Sequence, residues 1–172
     1  MKDKIPLNIA VVTVSDTRTE ENDKSGSVLV SSLEKDGHRL HSKHIVKDDV
    51  YDLRKIISGH IADSDVNVVL TTGGTGFTGR DNTQKALQLL FDLHIEGFGE
   101  LFRQLSYEEI STSTVQSRAF AGLANGTIIF CVPGSPGACK TGWDMIIRDQ
   151  LDSSHKPCNF VDKLAFKDTS VA

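Results

Sequence analysis

The densest run of chemically useful residues is Gly73-Gly74-Thr75-Gly76-Phe77-Thr78-Gly79-Arg80-Asp81, which follows a run of apolar, β-branched residues and precedes a helical pattern. Several glycines in such a loop free the backbone to turn inward and present N–H groups to an anion, which is the chemistry of a phosphate cradle. Asp81 ends that loop, and a carboxylate beside phosphate calls for a divalent cation between them. Mg²⁺ suits the place, because it is held by one or two carboxylates together with phosphate oxygens. Asp48, after another strand-like run, is the candidate for the second carboxylate, with helix capping as the competing use of either residue. Gly74, Gly76 and Gly79 also satisfy GxGxxG, with Glu100 near the distance expected of a ribose-binding acid. A dinucleotide fingerprint, however, follows the first strand and has its acid at the end of the next, whereas Glu100 falls within a helical pattern.

A second glycine-bearing loop, Gly134-Ser135-Pro136-Gly137-Ala138-Cys139-Lys140-Thr141, differs by one residue from a Walker A loop. Cys139 stands where the glycine before the lysine belongs, and Pro136 removes an N–H donor. The segment reads instead as an anion-binding turn at a helix N-terminus, with Ser135 donating and Lys140 nearby. Ser117-Arg118 offers a hydroxyl and a guanidinium suited to phosphate or to a polar ring edge, and Arg18 has the same character; a solvated surface pair is the plain alternative. The six histidines, His38, His41, His44, His60, His94 and His155, show neither HxxxH nor HExxH spacing, and the first three are expected along a strand face. Cys131, Cys139 and Cys158 form no CxxC pair, no GxSxG elbow occurs, and no cysteine has an evident catalytic partner, so zinc and nucleophilic-triad chemistry are unsupported.

The elements that must position these loops are legible from periodicity. Asn8 to Val14, Val66 to Thr72 and Thr127 to Val132 are short apolar runs of the kind that form buried parallel strands, and His38 to Val46 is a more polar strand candidate. Helical spacing marks Ser25 to Asp36, stopped by Gly37, and Val50 to Ile61, capped by Asp48 or Asp49. Further helices are expected over Thr83 to Phe91, Phe98 to Ile110 and Ala138 to about Asp149, with a tail from about Asp152. This alternation implies a right-handed, doubly wound α/β sandwich, in which ligands bind outside the carboxyl ends of the strands. The loops at residues 15–24, 73–82 and 133–140 are therefore where a site belongs.

The chain has 172 residues, 38% hydrophobic and 24% charged, with 19 Lys and Arg against 23 Asp and Glu, a net charge of −4. That length suits a single domain, spanning 1–172 with its core over about 8–164. Mild acidity argues against a nucleic-acid footprint, and no window approaches the length of a membrane span. Met1-Lys2-Asp3-Lys4 lacks the apolar region of a secretory signal, so a cytoplasmic location is expected.

Together Val14-Ser15-Asp16-Thr17-Arg18, Leu70 through Phe77 with Arg80-Asp81, Glu96-Gly97-Phe98-Gly99-Glu100, Gln116-Ser117-Arg118 and Pro133-Gly134-Ser135 resemble the MoaB/MogA family of molybdenum cofactor biosynthesis. The resemblance covers about Ile9 to Leu164, and Leu101-Phe102-Arg103 and Lys156 through Phe160 look like the MoaB branch. It implies a three-layer α/β/α sandwich with a mostly parallel central sheet, assembled as a homotrimer or a dimer of trimers. It also implies Mg-ATP-dependent adenylylation of molybdopterin, with hand-off of the product to a molybdate-insertion enzyme; a non-catalytic molybdopterin carrier is the alternative. On that resemblance Asp48 and Asp81 are the catalytic, Mg²⁺-holding pair. Gly73, Gly74, Thr75 and Gly76 bind nucleotide phosphate, and Ser15, Ser117, Arg118, Gly134 and Ser135 meet the pterin or its phosphate. Many members read Thr-Pro-Glu-Ala where this chain has Thr83-Gln84-Lys85-Ala86.

Overall fold

The computed structural model describes residues 4–164. Three strands, β1 (Asn8–Val14), β3 (Val68–Thr72) and β6 (Thr127–Val132), are buried almost throughout. Their β-branched runs suit a pleated surface covered on both faces by helices. The more polar β2 (Arg39–Val46) takes the sheet edge, in the strand order β2-β1-β3-β6-β5-β4. From β2 to β6 the pairing is parallel. One face of the sheet packs against α1 (Lys24–Lys35), α4 (Glu96–Ile110) and the helix that begins as α5 (Pro136–Gly142), through Leu29, Leu33, Phe102 and Trp143. The other face packs against α2 (Val50–Ala62) and α3 (Thr83–Leu87), through Leu53, Ile57, Ala86 and Leu87. The three-layer α/β/α architecture is thus observed.

The sheet is more mixed than strand and helix alternation implied. β5 (Phe120–Ala124) and β4 (Leu93–His94) are strands the periodicity did not reveal, and β5 runs antiparallel to both β4 and β6. The cause is local: Asn125 and Gly126 both have positive φ, 46° and 76°, which allows a two-residue hairpin between β5 and β6. Two helices are also interrupted. After α3 the chain tightens into a 3₁₀ turn at Gln88–Leu90, and after α5 it widens into a π turn at Trp143–Ile147 before α6 (Arg148–Gln150).

The histidines do not share one strand face. His38 precedes β2 and is buried, its Nδ1 accepting from Leu7 N–H at 3.2 Å and its ring edge-on to Trp143. A bulge at His41, where pairing jumps from Ile9 with Leu40 to Ala10 with Ser42, brings His41 and His44 both against His60 of α2. Burial pushes the His38 and His60 imidazoles below the ordinary 6.5, and His44 and His41 add to the effect on His60, while Asp36 and Asp63 respectively oppose it. An unfolded chain therefore takes up more protons than the folded one as pH falls through 6.5, so the stability these groups contribute is complete above that value and declines below it. Denaturant midpoints measured at about pH 7.5 and about pH 5.5 should fall on acidification, and His60→Phe should narrow the gap; a gap unchanged by that substitution would rule out His60 as a contributor.

Candidate functional site

β2 flanks β1 on one side and β3 on the other, so the direction in which the chain builds its sheet reverses between β1 and β3. Loops leaving the carboxyl ends of these strands diverge and leave a crevice, the usual ligand site of an open α/β sheet. A cavity of about 660 Å³ opens there, lined by the loops after β1, β3 and β6 and by the carboxyl-terminal half of α4. That volume suits a small-molecule ligand.

The glycine loop is built by close backbone approach. Gly73 (φ +102°) and Gly74 (φ +63°) both adopt conformations that side chains disfavour. A Cβ at Gly73 would collide with the Val14 carbonyl oxygen, and one at Gly74 with Thr83 Oγ1. Thr83 ties the loop to α3, its hydroxyl donating to Gly73 O at 2.8 Å and its amide to Gly74 O at 3.0 Å. Arg118 buttresses the loop from behind. Its guanidinium donates to the carbonyls of Thr75, Gly76 and Asp81 and to Gln84 Oε1, and lies 4.9 Å over the Phe77 ring. Arg118 is not among the residues lining the main cavity, and its hydrogen bonds run to the glycine loop and to Gln84. Gln84 belongs to this buttress.

Helix capping falls to Asp49, which accepts from Tyr51 N and Asp52 N and leaves the preceding Asp48 free to turn toward the cavity. Asp48 is buried, with Oδ1 accepting from Asn82 N at 2.9 Å. Burial raises its carboxyl above the ordinary range, the Asn82 bonds oppose the shift, and the charges of Asp81 and Asp16 add to it. For Asp81 burial also acts upward, but hydrogen bonds from the Thr78 hydroxyl and amide and the Gly76 amide, with the Arg118 charge, outweigh it and hold the carboxyl low. Asp16 binds Arg80 through Oδ2, 2.6 Å from Nη2, and accepts from Asp48 N through Oδ1. Among the described residues no group of three or more His, Cys, Asp and Glu side chains is placed to hold a metal unaided. Two carboxylates that feel each other's charge beside the glycine loop fit instead a cation completed by phosphate and water.

All the other expected site residues line the cavity: Ser15, Asp48, Gly73, Gly74, Thr75, Gly76, Asp81, Ser117, Gly134 and Ser135. Ser15 Oγ also accepts from the amides of Thr17 and Arg18, shaping the first loop. Ser135 caps α5 by accepting from Ala138 N at 3.1 Å, which leaves its hydroxyl hydrogen available to a ligand. Lys140 faces away, into a separate groove between α1 and α5. Burial pushes the Cys139 thiol up to about 11, in keeping with a packing role. Sequence reasoning missed Ser106, Glu109 and Thr141 in the far half of the cavity. They come from α4 and α5, whose helical pattern marks a buried face and gives no signal for the residues at its margin.

Gly74→Ala should destabilise the fold by about 1–3 kcal/mol, from the strained φ and the collision with Thr83. Gly79→Ala, where a Cβ meets open space, should be near neutral, and urea midpoints for the two variants check the contrast.

Residues 10–153 match the model of a family described as a probable molybdopterin binding domain. Molybdenum cofactor biosynthesis protein B of Escherichia coli K12 is 54% identical over 156 residues, covering 91% of this chain and 92% of that protein. The Bacillus subtilis protein of the same name is 44% identical over 142 residues, covering 82% of this chain and 84% of its own. A crystal structure of a molybdenum cofactor biosynthesis protein B superposes with a TM-score of 0.85 at 43% identity, covering 87% of this chain and 94% of that one. The tungsten cofactor synthesizing protein MoaB of Pyrococcus furiosus superposes with a TM-score of 0.75 at 39% identity, covering 82% and 90%. With most of its length matched by these proteins and by the family model, the chain belongs to the MoaB/MogA family of molybdenum cofactor biosynthesis proteins.

Proposed function

We propose that this chain adenylylates molybdopterin, using Mg-ATP. The terminal phosphate oxygen on the pterin side chain attacks the α-phosphorus of ATP, the bond to the β-phosphate oxygen breaks, and adenylyl-molybdopterin and pyrophosphate result. The observation that carries this reading is Asp48 and Asp81 set together beside the glycine loop. Asp48 and Asp81 would hold Mg²⁺, whose positive charge offsets the charge developing on the departing pyrophosphate. Within the Gly73 to Gly76 loop, whose Gly73 and Gly76 amides are engaged by Val132 O and the Asp81 carboxylate, the Gly74 and Thr75 amides would receive nucleotide phosphate, while the Ser15, Ser117 and Ser135 hydroxyls and the Gly134 backbone meet the pterin or its phosphate. Because the attacking oxygen is already anionic near neutral pH, the chemistry asks for alignment and charge neutralisation rather than a strong base. The protein would work in the cytoplasm as a homotrimer or a dimer of trimers and pass its product to the molybdate-insertion enzyme.

Purified protein incubated with molybdopterin and Mg-ATP should release pyrophosphate and form adenylylated pterin. Asp81→Ala should lower that rate by about a hundredfold or more while the fold survives. Pterin binding without turnover would replace the enzyme by a carrier of the same pathway. Five carboxylates and two guanidiniums line the cavity, so tight ATP binding should need the metal. Calorimetry in excess chelator that returned the same ATP affinity would contradict a metal held by Asp48 and Asp81.

A further inference from the structure

We infer that Glu109 reads the amino-pyrimidinone edge of the pterin and so selects the ring that enters the far half of the cavity, a role that rests on molybdopterin being the substrate. Of the five carboxylates lining the cavity, four are held by protein donors. Asp23 accepts from the Thr13 hydroxyl and Gly26 amide and pairs with Lys43, and Asp16 pairs with Arg80. Asp48 accepts from Asn82, and Asp81 from Thr78. Outside the Asp48 and Asp81 pair assigned to the cation, Glu109 is the lining carboxylate with an oxygen left for a ligand: Oε1 accepts from the Thr141 hydroxyl at 2.7 Å, and Oε2 has no protein partner among the described residues.

Its surroundings differ from those of the phosphate loops. Ser106, Ser113 and Thr141 supply hydroxyls, and the half-exposed Ile110 supplies apolar surface for a ring face. A pterin presents a ring N–H and an exocyclic amino group side by side, two donors that a carboxylate can accept together. The placement of Glu109 also opposes local helix physics. It sits in the last turn of α4, which contains no basic residue, so its carboxylate faces the negative end of the helix dipole. The next residue but one, Ser111, has φ 53° without being glycine. Unfavourable local choices of this kind concentrate where a side chain is kept for a ligand.

Lumazine differs from pterin by an oxo group in place of the amino group, so it presents an acceptor where pterin presents a donor. The test titrates wild type and Glu109→Gln with a 6-hydroxymethylpterin phosphate and its lumazine counterpart, each followed by its own fluorescence. Wild type should prefer the pterin. Glu109→Gln should weaken pterin binding about tenfold or more, and its amide N–H should draw the preference toward the lumazine. ATP affinity should be unchanged, and thermal stability equal or slightly higher once the charge at the end of α4 is gone. The same pterin preference in both proteins, or no pterin binding by wild type, overturns the role of Glu109. Adenylylation that proceeds normally in Glu109→Gln also overturns it and leaves the proposed reaction standing. Glu109-dependent pterin selectivity without any adenylylation does the reverse.

Discussion

The cavity depends on how closely three strand-end backbones approach at Gly73. Its amide donates to Val132 O at 3.1 Å, its α-carbon abuts the Val14 carbonyl, and Gly134 packs against it from the loop after β6. Parallel strands deliver their ends side by side at the spacing of backbone hydrogen bonds, which leaves no room for a side chain where their loops cross. Only glycine satisfies both the space and the positive φ, so the position couples β1, β3 and β6 mechanically. The cradle is thus rigid on its inner side, where Thr83 and Arg118 hold it, and open toward the carboxylates on its outer side.

Charge at the site is arranged by division of labour between neighbours in sequence. Asp49 stays with the helix and Asp48 with the cavity; Arg80 pairs with Asp16 at the rim, while Arg118 serves the carbonyls behind the loop. An exposed ion pair such as that of Arg80 and Asp16 contributes little to stability, so it can exchange partners cheaply. Arg118, with four acceptors and an aromatic face, cannot do so without loosening the loop. Residue type alone does not distinguish two guanidiniums with such different duties.

That limit explains what was legible in the sequence. β1 and β6 were readable residue for residue, because buried strands must be apolar on both faces. The glycine loop was readable because its backbone demands a residue type. β5 was missed because Gly122 and its small neighbours give no apolar alternation, although Asn125-Gly126 is the strongest short-range hairpin signal there is. The bonds of Arg118 to the glycine loop and the place of Glu109 in the cavity were not legible, because both depend on contacts far apart in the chain, Arg118 with residues 75–84 and Glu109 with Thr141.

The net charge of −4 and the acidic lining oppose proposed substrates that are both anionic, but the distribution of charge resolves the difficulty. Carboxylates repel phosphate only until a divalent cation joins them, after which the same groups make binding conditional on the metal. A basic cavity would hold any phosphorylated metabolite. On the proposed function, a cavity with five carboxylates against two guanidiniums would admit phosphate only where Asp48 and Asp81 recruit a cation, and elsewhere would favour ring edges rich in N–H donors. Selectivity for a phosphorylated pterin would then arise from the placement of negative charge rather than from attraction to a positive surface.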